Sequence, residues 1–193
     1  MNIAKLFISS VLLAALALSG CSPQDAAKSA TPAKQAVSVD VVAAQAKGFA
    51  VGAVMSANTV FVFFDPQCPH CGHLWAAAAP LQKKLKFVWI PVGWVNASST
   101  PQAAALLTAA SPAALMSEHE ALLAGGKGGL SASSSIAPDV AQTIKTNTAL
   151  LTSFGAESVP FIVAKNLKTG QTVSREGALE TAELAEFLGV DAP

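Results

Sequence analysis

The chain contains no tyrosine, and only twelve acidic and twelve basic residues stand among its 193 positions. Charges this sparse and evenly balanced create no field of one sign, so composition offers nothing that would gather nucleic acid. Histidine and cysteine are equally scarce, at three each. That excludes a scaffold built from disulfides and leaves few ligands for a metal. A bilayer-spanning run is also missing: the apolar stretch from Leu6 to Leu18 falls short of the about 20 residues a crossing takes. What is present in excess is apolar residue, 52 % of the chain, enough to bury one sizeable core in a single domain with extensions.

The stretch "MNIAKLFISSVLLAALALSGC" has one basic residue, Lys5, ahead of the short apolar run, the pattern of a cleavable export signal. Its end, Leu18-Ser19-Gly20-Cys21, resembles the lipobox of bacterial lipoproteins. The resemblance implies cleavage before Cys21, lipid on its sulfur and a membrane anchor, and Ser22 implies sorting to the outer membrane. Export places the domain in the periplasm, where disulfides persist. Lipidation would also remove the odd cysteine and leave Cys68 and Cys71 as a pair. From Ser22 to about Ala36 the residues are small and polar with two prolines, as in a disordered tether. About 18 such residues reach roughly 20–25 Å. The expected division is 1–20 leader, 21–40 lipidated cysteine and tether, and 41–193 catalytic domain.

Within that domain, "TVFVFF" (Thr59 to Phe64) is an uncharged β-branched and aromatic run of the kind found in a central strand buried on both faces. Cys71, Leu74, Trp75, Ala78, Leu81 and Leu85 then recur at spacings of three and four, predicting an amphipathic helix with the cysteines at its start. "KFVWIPVGWV" predicts a second strand, broken or bulged at Pro91 and Gly93. Alanine- and leucine-rich sequence from about 101 to 154 predicts two or more inserted helices. "VPFIVAKN" and "QTVSREG" predict a hairpin, and Glu180 to Leu188 a closing helix. Between Val37 and Gly52 the pattern supports only a short helix, with Asp40 as its cap.

Three chemistries are open to "CPHC". As a staple, a loop of about four residues gives roughly 2 kcal/mol against about 4.7 for a 100-residue loop, so the placement is poor for stability. As a metal clip, Cys68, His70, Cys71 and His73 are one short cluster at a helix start, with only His119 elsewhere as a further histidine. As a redox centre the placement has a physical reason. The first cysteine meets the unpaired N–H groups and positive dipole end of the helix. Pro69 suits the first turn, and His70 can stabilise a Cys68 thiolate further. Cys68 is then the attacking sulfur and Cys71 the resolving one.

The strand "VFVFFDPQ", the "CPHC", the helix after it and the distant "ESVPFIV" resemble the thioredoxin fold of the periplasmic Dsb thiol-disulfide oxidoreductases. "DPQCPHCGHLW", "VGWVNASSTPQAAALLTAASP" and "GAESVPFIV" are most similar to the catalytic domains of DsbC and DsbG, over roughly Val41 to Val190. The resemblance implies an α/β thioredoxin-like fold with a helical insertion between the second strand and a cis-proline strand. It makes Pro160 that proline and gives Val159 and Pro160 contact with clients. It implies no cofactor beyond a redox-active Cys68–Cys71 disulfide and no metal. Its partners would be exported proteins with thiols or disulfides and a membrane redox partner.

Where DsbC and DsbG carry an N-terminal dimerisation domain, only a tether and one short helix precede Thr59 here, which implies a monomer. "CPHC" with Val159 resembles the oxidant DsbA, so the expected activity is oxidation. The alternatives are a reductase or isomerase kept reduced by a membrane partner, a metal-binding lipoprotein, and a redox-silent binding module. Val62 occupies the position six before Cys68 where such proteins often bury an acid. Asp65 is expected to be exposed at the strand end, which leaves water or Glu157 to take a proton from Cys71.

Overall fold

The computed structural model describes residues 34–193. The expected leader, Cys21 and most of the expected tether lie outside the described residues. A short helix, α1 (Val39–Gln45), comes first and leads into strand β1 (Phe49–Gly52). Next are β2 (Thr59–Phe64), α2 (Pro69–Ala78), a 3₁₀ turn at Ala79–Lys83 and β3 (Lys86–Pro91). Three helices follow, α3 (Ser99–Thr108), α4 (Pro112–Ala124) and α5 (Pro138–Ser153). The hairpin β4 (Phe161–Lys165) and β5 (Thr172–Glu176) and the helix α6 (Thr181–Leu188) complete the chain.

The five strands form one sheet in the order β1-β3-β2-β4-β5. Strand β2 lies parallel to β3 and antiparallel to β4, with Phe63 opposite Ile90 on one side and Phe161 on the other. Its residues from Val60 to Phe64 are all buried, as a strand covered on both faces requires. Phe63 and Phe64 extend that packing through edge-on contacts to Phe154 and Trp89, a geometry that places ring edges against ring faces. This is the thioredoxin-like arrangement expected, with α3 to α5 inserted between β3 and the β4 strand.

Three details differ from the sequence expectation. Strand β1 was not expected; it is a four-residue edge strand containing alanine and glycine, too short to leave a period-two signal. It lies against β3 because Gly48 lacks a side chain: a Cβ there would collide with the Trp89 carbonyl. Helix α1 is capped by Ser38, whose side chain accepts from the Asp40 amide, and not by Asp40. The end of the stretch expected as tether is folded, since Gln35 N–H donates to the Ser153 carbonyl at 2.8 Å. Strand β3 ends at Pro91, the first of the two positions where a break or bulge was expected.

The insertion is fastened to the sheet by buried amides. Asn147 of α5 donates to the carbonyls of Lys47 and Pro91 and accepts from the Lys47 N–H. One side chain thereby ties the approach to β1 and the end of β3 to the same helix. Helix α6 is started by a reciprocal pair of Glu180 and Glu183 side-chain contacts to backbone N–H groups. It is held to α2 by Thr181 Oγ1, which donates to the Ala77 carbonyl at 2.9 Å.

Candidate functional site

Cys68 is the N-cap of α2 and Pro69 its first helical residue. Proline costs nothing there, because the first-turn N–H groups have no intrahelical partner. Both cysteines are buried, Cys71 fully and Cys68 to 7 % exposure, so Cys68 is the less enclosed of the pair. Opposite it stands the peptide bond between Val159 and Pro160, which is cis. The Val159 carbonyl accepts a hydrogen bond from the Cys68 thiol at 3.3 Å. Of the residues singled out in the sequence, Cys68, Pro69, His70, Cys71, Val159 and Pro160 therefore meet in one place. His70 and His73 are exposed on the first turns of α2, with ring centroids 5.8 Å apart.

The two thiols have opposite acidities. Cys68 is lowered to about 6, chiefly because the Cys71 S–H donates to its thiolate, with the backbone amides of Cys71 and His70 adding to this against the cost of burial. The charge of His70 acts in the expected direction and is the smallest of these contributions. Burial pushes Cys71 well above the ordinary thiol range, and the neighbouring Cys68 raises it further. The arrangement supplies one acidified, nucleophilic sulfur at the start of α2 and one protonated sulfur more deeply buried.

Asp65 is the clearest correction to the sequence reading. Expected at the surface, it is fully buried. Its carboxylate accepts four hydrogen bonds, from the amides of Gln67, Trp94 and Val95 and from Ser99 Oγ, at 2.6–2.9 Å. Those donors belong to the "DPQC" turn, the loop after β3 and the start of α3, so the carboxylate binds the active turn to the insertion. A carboxylate can be buried when every lone pair is used in this way. Glu157, the other acid considered, is exposed beside β5, where its backbone N–H donates to the Glu176 carboxylate.

No protein-family model matches the chain. Among curated proteins it is 31 % identical over 147 residues to the thiol:disulfide interchange protein DsbG of Pseudomonas aeruginosa, covering 75 % of this chain and 56 % of that protein. It is also 31 % identical over 105 residues to DsbG of Escherichia coli K12, covering 53 % of this chain and 42 % of the relative. The chain belongs to the Dsb family of thioredoxin-fold proteins. It spans about half the length of these curated relatives. A periplasmic thioredoxin-like protein from Salmonella enterica serovar Typhimurium superimposes with a TM-score of 0.61 at 19 % identity, covering 80 % of this chain and 97 % of that one, which shows the fold.

This Dsb-family chain surrounds its cysteines with a polar network that spacing in the sequence did not expose. Gln67 Nε2 donates to Gln102 Oε1 and to the Gly128 carbonyl, and Gln102 Nε2 donates to the carbonyls of Gly128 and Leu130. His119 of α4 is fully buried; its Nδ1 accepts from the Leu130 N–H, so Nε2 carries the proton and donates to the Pro66 carbonyl at 2.6 Å. Glu120, the next residue, lies against Gly72. Gln102, His119 and Glu120 come from the insertion, tens of residues from the cysteines. Among the described residues, no three His, Cys, Asp or Glu side chains converge as a metal site would need, and no helix is long and apolar enough to cross a membrane.

Proposed function

We propose that this protein is a periplasmic thiol:disulfide oxidoreductase, anchored to a bacterial outer membrane by lipid on Cys21, that acts as a monomer to oxidise exported clients. The reading rests on one observation: the Cys68 sulfur at the start of α2, acidified to about 6, beside a protonated Cys71 and opposite the Val159 carbonyl. A client thiolate attacks Sγ of Cys68 in the Cys68–Cys71 disulfide, and the pair of electrons leaves on Cys71, which takes up a proton. A second client thiolate attacks the client sulfur of the mixed disulfide, closing the client's bond and releasing Cys68 as a thiolate. Because that leaving thiolate is stabilised, the reduced enzyme is favoured and electrons flow from client to enzyme. Val159 and Pro160 supply the client-facing backbone. The cysteine pair needs no cofactor; a membrane partner that accepts electrons would reset it.

A second reading keeps the chemistry and reverses the flow, with a membrane partner holding the pair reduced for disulfide reduction or isomerisation. Both curated relatives are named thiol:disulfide interchange proteins, a name that fits this direction of exchange as well. Refolding assays started from reduced and from scrambled substrate separate the two: the oxidant acts on the first and is poor on the second. Efficient unscrambling, with the Cys68–Cys71 pair found reduced in cells, would replace the first reading with the second. Light scattering tests the monomer, and membrane fractionation of Cys21→Ala tests the anchor.

A further inference from the structure

Oxidation of a client dithiol leaves a proton to be accounted for. Two client S–H bonds and the Cys68–Cys71 bond become a client disulfide, a Cys71 thiol and a Cys68 thiolate. One client proton goes to Cys71, and the other must leave the site. Asp65, the nearer acid, already accepts four donors and has no free lone pair directed at the cysteines.

Glu120 is differently placed. It projects from α4 into a cleft of about 350 Å³ against α2, beside Pro69, His73, Trp75 and Leu123. Its carboxyl lies over the backbone of Gly72, the residue after Cys71, where a Cβ would collide with Oε2. Its other oxygen, Oε1, is buried and has no hydrogen-bond partner among the described residues. An ionised carboxylate oxygen left without a donor in such a place is costly, and a proton removes that cost. Besides Glu120, His73 of α2 is the titratable group lining this cleft, while Trp75, Leu123 and Ala124 on its walls are uncharged; Cys68, the N-cap of α2, acts on Glu120 through its charge.

Resting on the oxidoreductase reading, we propose that Glu120 is the proton store of the redox cycle: its carboxylate takes up the second client proton as the Cys68–Cys71 disulfide is reduced, and returns it to water through the cleft on reoxidation. The electrostatics agree in sign. Burial raises Glu120 to about 7, and the negative charge of Cys68 is a second contribution to that rise. Forming the Cys68 thiolate therefore draws a proton to Glu120, and closing the disulfide releases it. Glu120 is a positioning residue for the proton; it is not assigned contact with the reacting sulfurs.

The test is a proton count. Oxidised protein is reduced with one equivalent of dithiothreitol in weakly buffered solution at pH 7, and released protons are read with an indicator while thiolate absorbance reports the reduction. Wild type should release fewer protons per disulfide than Glu120→Gln, by up to about half a proton, the fraction set by a group titrating near 7. Gly72→Ala, whose methyl displaces the Glu120 carboxyl, should behave like Glu120→Gln. Wild type carrying ¹³C-labelled glutamate should gain a protonated-carboxyl infrared band on reduction, a readout that needs no variant. Equal proton release in wild type and Glu120→Gln, with no such band, overturns the proposal while leaving the redox assignment intact. If no thiolate absorbance appears on reduction, the oxidoreductase reading itself fails.

Discussion

The Cys68 thiol is bonded to the Val159 carbonyl, 91 positions later in the chain, at 3.3 Å. That contact holds the neutral thiol, whereas the Cys71 S–H and the first-turn amides of α2 favour the thiolate. The acidity of Cys68 is thus a contest between these donors and the cost of burial, and the Cys71 S–H is the largest single contribution. Thiolate absorbance of the reduced protein should show a transition at about 6. Cys71→Ala, which removes the largest favourable contribution, should raise it more than His70→Ala, and Cys71→Ser should lie between wild type and Cys71→Ala. A larger shift for His70→Ala would reverse the order of causes argued here.

Loss of the resolving sulfur should also make partners visible. In Cys71→Ala the mixed disulfide on Cys68 has no internal thiolate to release it. Extracts of cells expressing this variant should contain high-mass adducts that disappear on reduction and are absent from Cys68→Ala. Equal adducts in both variants would show that Cys68 is not the attacking sulfur.

The buried Asp65 makes a prediction about stability. Asp65→Asn keeps the shape but turns one acceptor oxygen into a donor that faces either the Trp94 and Val95 amides or the Gln67 amide and Ser99 hydroxyl. An unsatisfied buried donor costs about 1–3 kcal/mol and a hydrogen bond to a charged group contributes about 1.5–3, so a loss of roughly 2–4 kcal/mol is expected. Ser99→Ala, which removes one of four donors, should cost about 1.5–3 kcal/mol. Denaturant midpoints check both values. Near-equal stability of wild type and Asp65→Asn would mean the carboxylate does not fasten the turn.

What could be read in the sequence divides along a physical line. The "TVFVFF" strand, the helix that starts at Cys68 and strand β4 bury apolar faces, and apolar patterning records such faces directly. Strand β1 has too few residues to set a period. Asp65 looked exposed because a lone carboxylate after a strand usually is, and its four donors are scattered from Gln67 to Ser99, where no local motif links them. His119 and Glu120 were invisible as site residues for the same reason: only the packing of α4 brings them to the turn before Cys68 and to Gly72. "CPHC" disclosed the sulfur chemistry. The groups that handle protons and hold the turn are set by tertiary structure.

His119 makes stability depend on pH with a definite sign. Burial lowers its pKa below the ordinary 6.5, against the opposing effects of the Pro66 carbonyl and Asp65. A second proton would have to sit on Nδ1, which already accepts the Leu130 N–H. Below 6.5 the unfolded chain therefore binds a proton that the folded chain resists, and stability falls with pH from 6.5 downward to the folded-state pKa; above 6.5 the contribution is fully present. Other groups titrate in the same range, so the measurement is a difference. His119→Gln keeps an amide able to donate to Pro66 but cannot titrate. It should start less stable than wild type at neutral pH and lose less on acidification, so that denaturant midpoints of the two proteins converge as pH falls. Parallel midpoints across that range would show that His119 does not carry the acid sensitivity.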